Sequence, residues 1–110
     1  MITINFTQDV KGFLDKVKEV VGVDSTESII IKSPYPLEQL HGIIGLYCAK
    51  KVDQYNEIEN MDVPRVDKDL FYIYIGQQML DYYIPNTYKI ECGNVVDKSF
   101  KEYIIKKVVE

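Results

Sequence analysis

What Leu70-Phe71-Tyr72-Ile73-Tyr74-Ile75 becomes decides what the rest of this chain can fold into. Its aromatic and β-branched residues favour a strand by propensity. The segment continues, however, through Gly76-Gln77-Gln78-Met79-Leu80-Asp81-Tyr82-Tyr83, and that continuation favours a buried central helix. With a helix there, the chain reads as a mixed α+β domain: a small sheet of short strands beside about five helices.

The remaining elements follow from local patterns. Residues 2–6 alternate Ile2, Ile4 and Phe6 with Thr3 and Asn5, as a half-buried strand does. Thr7 or Asp9 can cap a helix whose apolar positions Val10, Phe13, Leu14, Val17, Val20 and Val21 form one stripe, with Gly22 placed to end it. Ser28-Ile29-Ile30-Ile31-Lys32 predicts a strand buried on both faces. Ser33-Pro34-Tyr35-Pro36 breaks it, and Pro36 suits the first turn of a helix carrying Leu37, Leu40, Ile43, Ile44, Tyr47 and Cys48. Gly42 and Gly45 each cost that helix about 1 kcal/mol relative to alanine. Without a strand–glycine–helix setting they suit close packing better than a phosphate loop.

Gln54 to Asp62 reads as the main surface loop, rich in acids. Met61-Asp62-Val63-Pro64-Arg65-Val66 is expected to be extended, because Pro64 biases Val63 away from helix. The long helix would then begin at Asp67 or Asp69. Pro85-Asn86 is read as the start of a short helix reaching Asn94. Asp97 caps a last helix with Phe100, Tyr103, Ile104 and Val108 inward.

At 110 residues there is room for a single domain spanning 1–110. The 46% hydrophobic fraction can fill one core, yet no apolar run approaches the roughly 18–20 residues of a membrane span. Met1–Phe6 lacks a basic flank and a cleavable apolar stretch, so a secretory signal is not expected. The net charge is −4 with Lys and Arg scattered among acids, which disfavours nucleic acid as a partner. Cys48 and Cys92 are expected as reduced thiols, and a cytoplasmic or nuclear address follows. Nine tyrosines against no tryptophan supply rigid rings with polar tips, suited to interfaces as well as to the core. The wealth of Ile, Lys, Tyr and Asn is that of an AT-rich genome, such as many viral ones.

Catalytic constellations are sparse. His41 lies three residues after Glu38 on one predicted helix, where a carboxylate could orient an imidazole, but a surface ion pair is the commoner outcome. Cys48 would need His41 beside it, and seven helical residues separate them by about 10 Å. Asp67 and Asp69 suit a helix start, and Glu57 and Glu59 suit loop solubility. With a single histidine and no Cys-x-x-Cys pair, neither a metal centre nor a cofactor is expected, and neither is an enzyme.

Short strand, proline, helix, acidic loop, Val-Pro and long helix follow one another as Ile29-Ile30-Ile31, Pro36-Leu37-Glu38-Gln39-Leu40, Ile43-Ile44-Gly45-Leu46-Tyr47-Cys48, Asn56-Glu57-Ile58-Glu59, Val63-Pro64-Arg65-Val66 and Gln78-Met79-Leu80-Asp81-Tyr82-Tyr83. Over residues 28–96 this order resembles the adaptor branch of the BTB/POZ fold, which contains elongin C and the Skp-type adaptor of SCF ubiquitin ligases. Cys92-Gly93-Asn94-Val95-Val96 looks like the extra helix of Skp-type members. The family usually opens with a β-hairpin, whereas one strand precedes the first helix here.

The resemblance implies a bridge between a cullin scaffold and the F-box or BC-box helix of a receptor, the helix lying in an apolar cleft. By position the cleft would use Tyr47 as a wall, Val63 as a rim, Ile73 and Ile75, and Met79 as an adaptable floor. Tyr82, Tyr83 and Tyr88 would extend the surface towards a second partner. Ile73 and Ile75 serve as core residues at least as readily. A self-associating homodimeric BTB module is a close variant. From a different class, Asp53, Glu57, Glu59 and Asp62 would suit an acidic inhibitor or immunity-type protein that blocks a basic enzyme.

Overall fold

A computed structural model describes residues 2–6, 9–21, 28–84 and 88–94. Strand β1 (Ile2–Asn5) leads into helix α1 (Val10–Val21) and strand β2 (Ile29–Ser33). Helices α2 (Leu37–Lys51), α3 (Tyr55–Glu59) and α4 (Arg65–Tyr83) follow, then strand β3 (Tyr88–Cys92). The fold is a small mixed α+β domain.

Alternation in β1 puts Ile4 in the core and leaves Thr3 and Asn5 exposed. Helix α1 begins where Asp9 Oδ1 accepts a hydrogen bond from the Gly12 amide at 3.0 Å, satisfying an otherwise orphaned donor. Val10, Phe13, Leu14, Val17 and Val20 are buried, so the predicted stripe holds. The ring of Phe13 meets that of Phe6 edge-on, with centroids 5.1 Å apart. Thr7 and Gly22 lie outside the described residues, as does the last helix expected after Asp97.

The sheet order is β1-β2-β3, and both pairings are parallel. Parallel neighbours require crossovers, which α1 provides between β1 and β2 and α2 to α4 provide between β2 and β3. Ile31 sits between Ile4 and Ile90 in register. The inward residues of β2 are Ile29, Ile31 and Ser33, whereas Ile30 is half-buried and Lys32 exposed. This corrects the expectation of a strand buried on both faces: helices cover one face of the sheet, and Lys32 meets Glu91 at 4.0 Å on the other. β3 is a second correction, because a helix was expected there. Tyr88 and Ile90 alternate with exposed Lys89 and Glu91, a pattern that a one-sided sheet accepts.

Ser33 ends β2 by accepting the Tyr35 amide on its own hydroxyl at 3.1 Å, and Pro36 immediately precedes α2. The far end of α2 closes with the Gln54 amide on the Ala49 carbonyl at 2.8 Å and the Asp53 amide on the Lys50 carbonyl at 3.3 Å. That pair of hydrogen bonds needs a left-handed residue at the first donor, and Asp53 supplies it with φ of 61°. The acidic stretch then forms α3 rather than an open loop, anchored by buried Ile58.

The segment from Leu70 to Tyr83 is helical, as its continuation predicted, but α4 starts earlier, at Arg65 behind Pro64. Arg65 and Val66 are therefore helical, not extended. Tyr72, Gly76 and Leu80, four residues apart, form its buried ridge. Gly45 and Gly76 are where α2 and α4 cross. A β-carbon on Gly45 would press into the Tyr72 carbonyl and lie 2.9 Å from the Gly76 amide nitrogen. Close packing is thus what Gly45 supplies, as its sequence setting suggested. No described helix is long and apolar enough to cross a membrane.

Candidate interaction groove

Three helices leave a groove of about 420 Å³ between them. α2 contributes Tyr47, Cys48 and Lys51, followed by Val52 and Gln54. α4 contributes Ile75, Met79 and Tyr83, which recur every four residues and so stand on one face. The third wall is α1, through Lys11, Leu14, Asp15 and Lys18. Leu14 and Cys48 are buried at its base, and Tyr47, Ile75, Met79 and Tyr83 are half-buried, packing on the core while facing the opening.

Lysines stand at the lip. The Lys18 ammonium lies 5.0 Å from the centroid of the Tyr83 ring and that of Lys51 lies 5.4 Å from Tyr47. The groove is therefore apolar within and positively charged at its rim, in a chain of net charge −4.

Of the residues expected to bind a partner, Tyr47, Ile75, Met79 and Tyr83 come together here. Val63 does not join them. It lines a second apolar groove of about 480 Å³ with Met61, Asp67, Leu70, Phe71 and Tyr74, and the two grooves share no residue. Ile73 is half-buried and lines neither. Tyr82 is 77% exposed and touches Tyr83 edge-on. Tyr88 lines neither groove; its hydroxyl donates to Asp81 Oδ1 at 2.7 Å and so ties β3 to α4. Burial and that hydrogen bond push its pKa up to about 12.

Sequence reading missed the α1 wall. Lys11, Leu14, Asp15 and Lys18 fall at i, i+3, i+4 and i+7, so the face was present in the sequence. It mixes charges with one apolar residue, and a search for an apolar stripe passes over it. Also missed was the cluster that joins α3 to α4. Glu59 accepts from Tyr72 Oη at 2.8 Å and from Arg65 Nη1 at 2.6 Å, and the Arg65 Nε donates to Asp69 at 3.0 Å. Burial alone would raise the Glu59 pKa. The hydrogen bonds from Arg65 and Tyr72, with the charges of Arg65 and Lys68, outweigh it and hold the carboxyl below its usual range. Glu59 is thus an anchor of the fold rather than loop solubility.

The polar groups singled out for chemistry are dispersed. His41 is buried, its Nε2 has no hydrogen-bond partner, and Glu38 is exposed and does not pair with it. Burial lowers the His41 pKa against a smaller opposing pull from Asp81. Burial also raises the Cys48 thiol, which keeps it protonated at neutral pH. Cys48 and Cys92 are both free thiols. Among the described residues, no group of three or more His, Cys, Asp or Glu side chains could hold a metal ion.

Comparison with known proteins finds no match among family models, curated proteins or solved structures.

Proposed function

We propose that this chain is a protein-binding adaptor of the BTB/Skp type that takes an amphipathic helix of one partner into the α1–α2–α4 groove. The observation that carries the reading is the meeting of Tyr47, Ile75, Met79 and Tyr83 on one half-buried surface. Helix recognition needs an apolar trough with anchors at helical spacing, and aromatic and methionine walls adapt to such anchors. A bridge also needs a second face. The separate groove around Val63, Leu70, Phe71 and Tyr74 is a candidate, because Leu70 and Tyr74 are 56% and 60% exposed and no described element covers them. By the resemblance, the helix would belong to an F-box or BC-box receptor and the second face to a cullin-type scaffold.

The order β2, proline, α2, α3, Val63-Pro64, α4 supports the BTB/Skp reading. Two features depart from it: the described residues contain no β-hairpin, and β3 stands where the extra helix was expected. The test is affinity purification from eukaryotic cells with mass spectrometry, using wild type and the Tyr47→Ala/Met79→Ala double variant. Recovery of a cullin and a box-containing receptor, with the receptor lost from the variant, is the expected result. An unchanged receptor yield would remove the groove from the function. Recovery of one enzyme, lost only when Glu57 and Glu59 are neutralised, would assign the inhibitor role instead.

A further inference from the structure

We infer that the helix received by the α1–α2–α4 groove is acidic along both of its edges, with carboxylates seven residues apart on the edge facing α1. The inference rests on the reading of the groove as a helix site and adds the class of helix it selects. Lys11 and Lys18 rise from one wall and Lys51 from the other, with Asp15 as the one acid among the lining residues. None of these lysines pairs with a carboxylate among the described residues, whereas Lys16, Lys32 and Lys68 are engaged by Glu19, Glu91 and the Glu59 carbonyl. A local excess of positive charge that no described carboxylate neutralises, in a chain of net charge −4, is a selective feature, because complementary charge steers and registers a partner.

The spacing narrows the occupant. Lys11 and Lys18 are two turns apart on α1, about 10 Å along its axis, so a helix lying alongside meets them with residues at i and i+7. Lys51 stands on a different wall, at the end of α2. A free inorganic anion would leave Leu14, Ile75 and Met79 unused. A fatty acid would match that apolar base but carries one carboxylate for three lysines on two walls. A neutral helix would bury the rim while offering no carboxylate, leaving Lys18 and Lys51 with only their ring contacts to Tyr83 and Tyr47. An acidic amphipathic helix satisfies both the base and the rim.

Two fluorescein-labelled synthetic helices of about five turns test this. They share the same leucine anchors and differ only in glutamate or glutamine at the edge positions. Fluorescence polarisation should show the glutamate peptide binding wild type about tenfold more tightly, each rim pair contributing about two- to fivefold. That advantage should shrink below about threefold in the Lys18→Gln/Lys51→Gln variant, whose altered positions are exposed, and in about 1 M salt. Tyr47→Ala/Met79→Ala should lose both peptides. If wild type bound the two peptides equally and the double alanine variant lost both, the acidic preference would be wrong and the helix groove would stand. Failure to bind either peptide would overturn the groove and this inference together. Displacement of bound peptide by a fatty acid of higher affinity would assign the site to an amphiphile and overturn it as well.

Discussion

Replacing Gly76 by alanine separates what this structure requires from what helix propensity alone would say. In an ordinary helix interior the change stabilises by about 1 kcal/mol. Here a β-carbon would press into the His41 carbonyl oxygen, lying 2.6 Å from the carbonyl carbon and 3.0 Å from the Gly45 amide nitrogen. Carbon atoms in favourable contact sit about 3.5–4.0 Å apart. The obstructing atoms are backbone, so no side chain can rotate away, and α2 and α4 must part by about 1 Å. A gap of that size forfeits about a quarter to a half of each contact's dispersion energy along the crossing. Overpacking generally costs about 1–3 kcal/mol, and a backbone contact between the two longest helices belongs at the upper end. Net of the propensity gain, the loss is about 2 kcal/mol.

For a domain of this size that is a fall in Tm of about 8–15 °C, or about 1 M in the urea midpoint with the slope unchanged. Urea unfolding followed by far-UV circular dichroism measures it, with Gln77→Ala as an exposed neighbour on the same helix. Gln77→Ala should leave the midpoint nearly unmoved. A Gly76→Ala protein that unfolds at the wild-type midpoint or above it would refute the backbone-to-backbone crossing.

Three further outcomes can be checked with the same assay. His41 takes up a proton near pH 6.5 in the unfolded chain, while burial keeps the folded imidazole neutral to lower pH. Stability should therefore drop as pH falls below about 6.5, and His41→Gln should remove that drop. The contribution of Glu59 is present above the unfolded value of about 4.3 and is lost as pH falls through its lower folded value. Glu59→Gln should cost about 1–2 kcal/mol at pH 7 and flatten the acid limb of the stability curve. Asp53 holds φ at 61°, a region that disfavours any side chain, so Asp53→Gly should raise stability by about 0.5–1 kcal/mol.

Long periodic segments were legible in the sequence. The stripe of α1, the Pro36 start of α2 and the helical state of Leu70 to Tyr83 all follow from apolar spacing sustained over several turns. Short elements were not. Tyr88 to Cys92 alternates as a strand should, but five residues after Pro85-Asn86 carry too little periodicity to outweigh a helix start. Tyr55 to Glu59 looked like loop because its one buried anchor, Ile58, sits among polar neighbours. In the groove, Tyr47, Ile75 and Met79 were named through the resemblance to BTB-type adaptors, and Tyr83 only as an extension of that surface; their meeting on one surface depends on how α2 and α4 pack. The lysines of α1 were not named, because their approach depends on how α1 packs in three dimensions. Val63 lines the other groove, beside Leu70, Phe71 and Tyr74 of α4, a placement that its position in the sequence did not reveal.

Both strand pairings in this sheet skip over intervening helices, and that has a consequence for how the chain is made. β2 meets β1 across α1, and it meets β3 only after α2, α3 and α4. Neither pair of described neighbours can zip up as a local turn, so the entropy of closing a long loop is spent before either ladder is gained. Acquisition of the native state should accordingly be slower than for an all-helical bundle of equal length. During synthesis, one flank of Ile29-Ile30-Ile31 stays bare until Cys92 has cleared the ribosome, and such a flank is where a nascent chain captures another copy of itself.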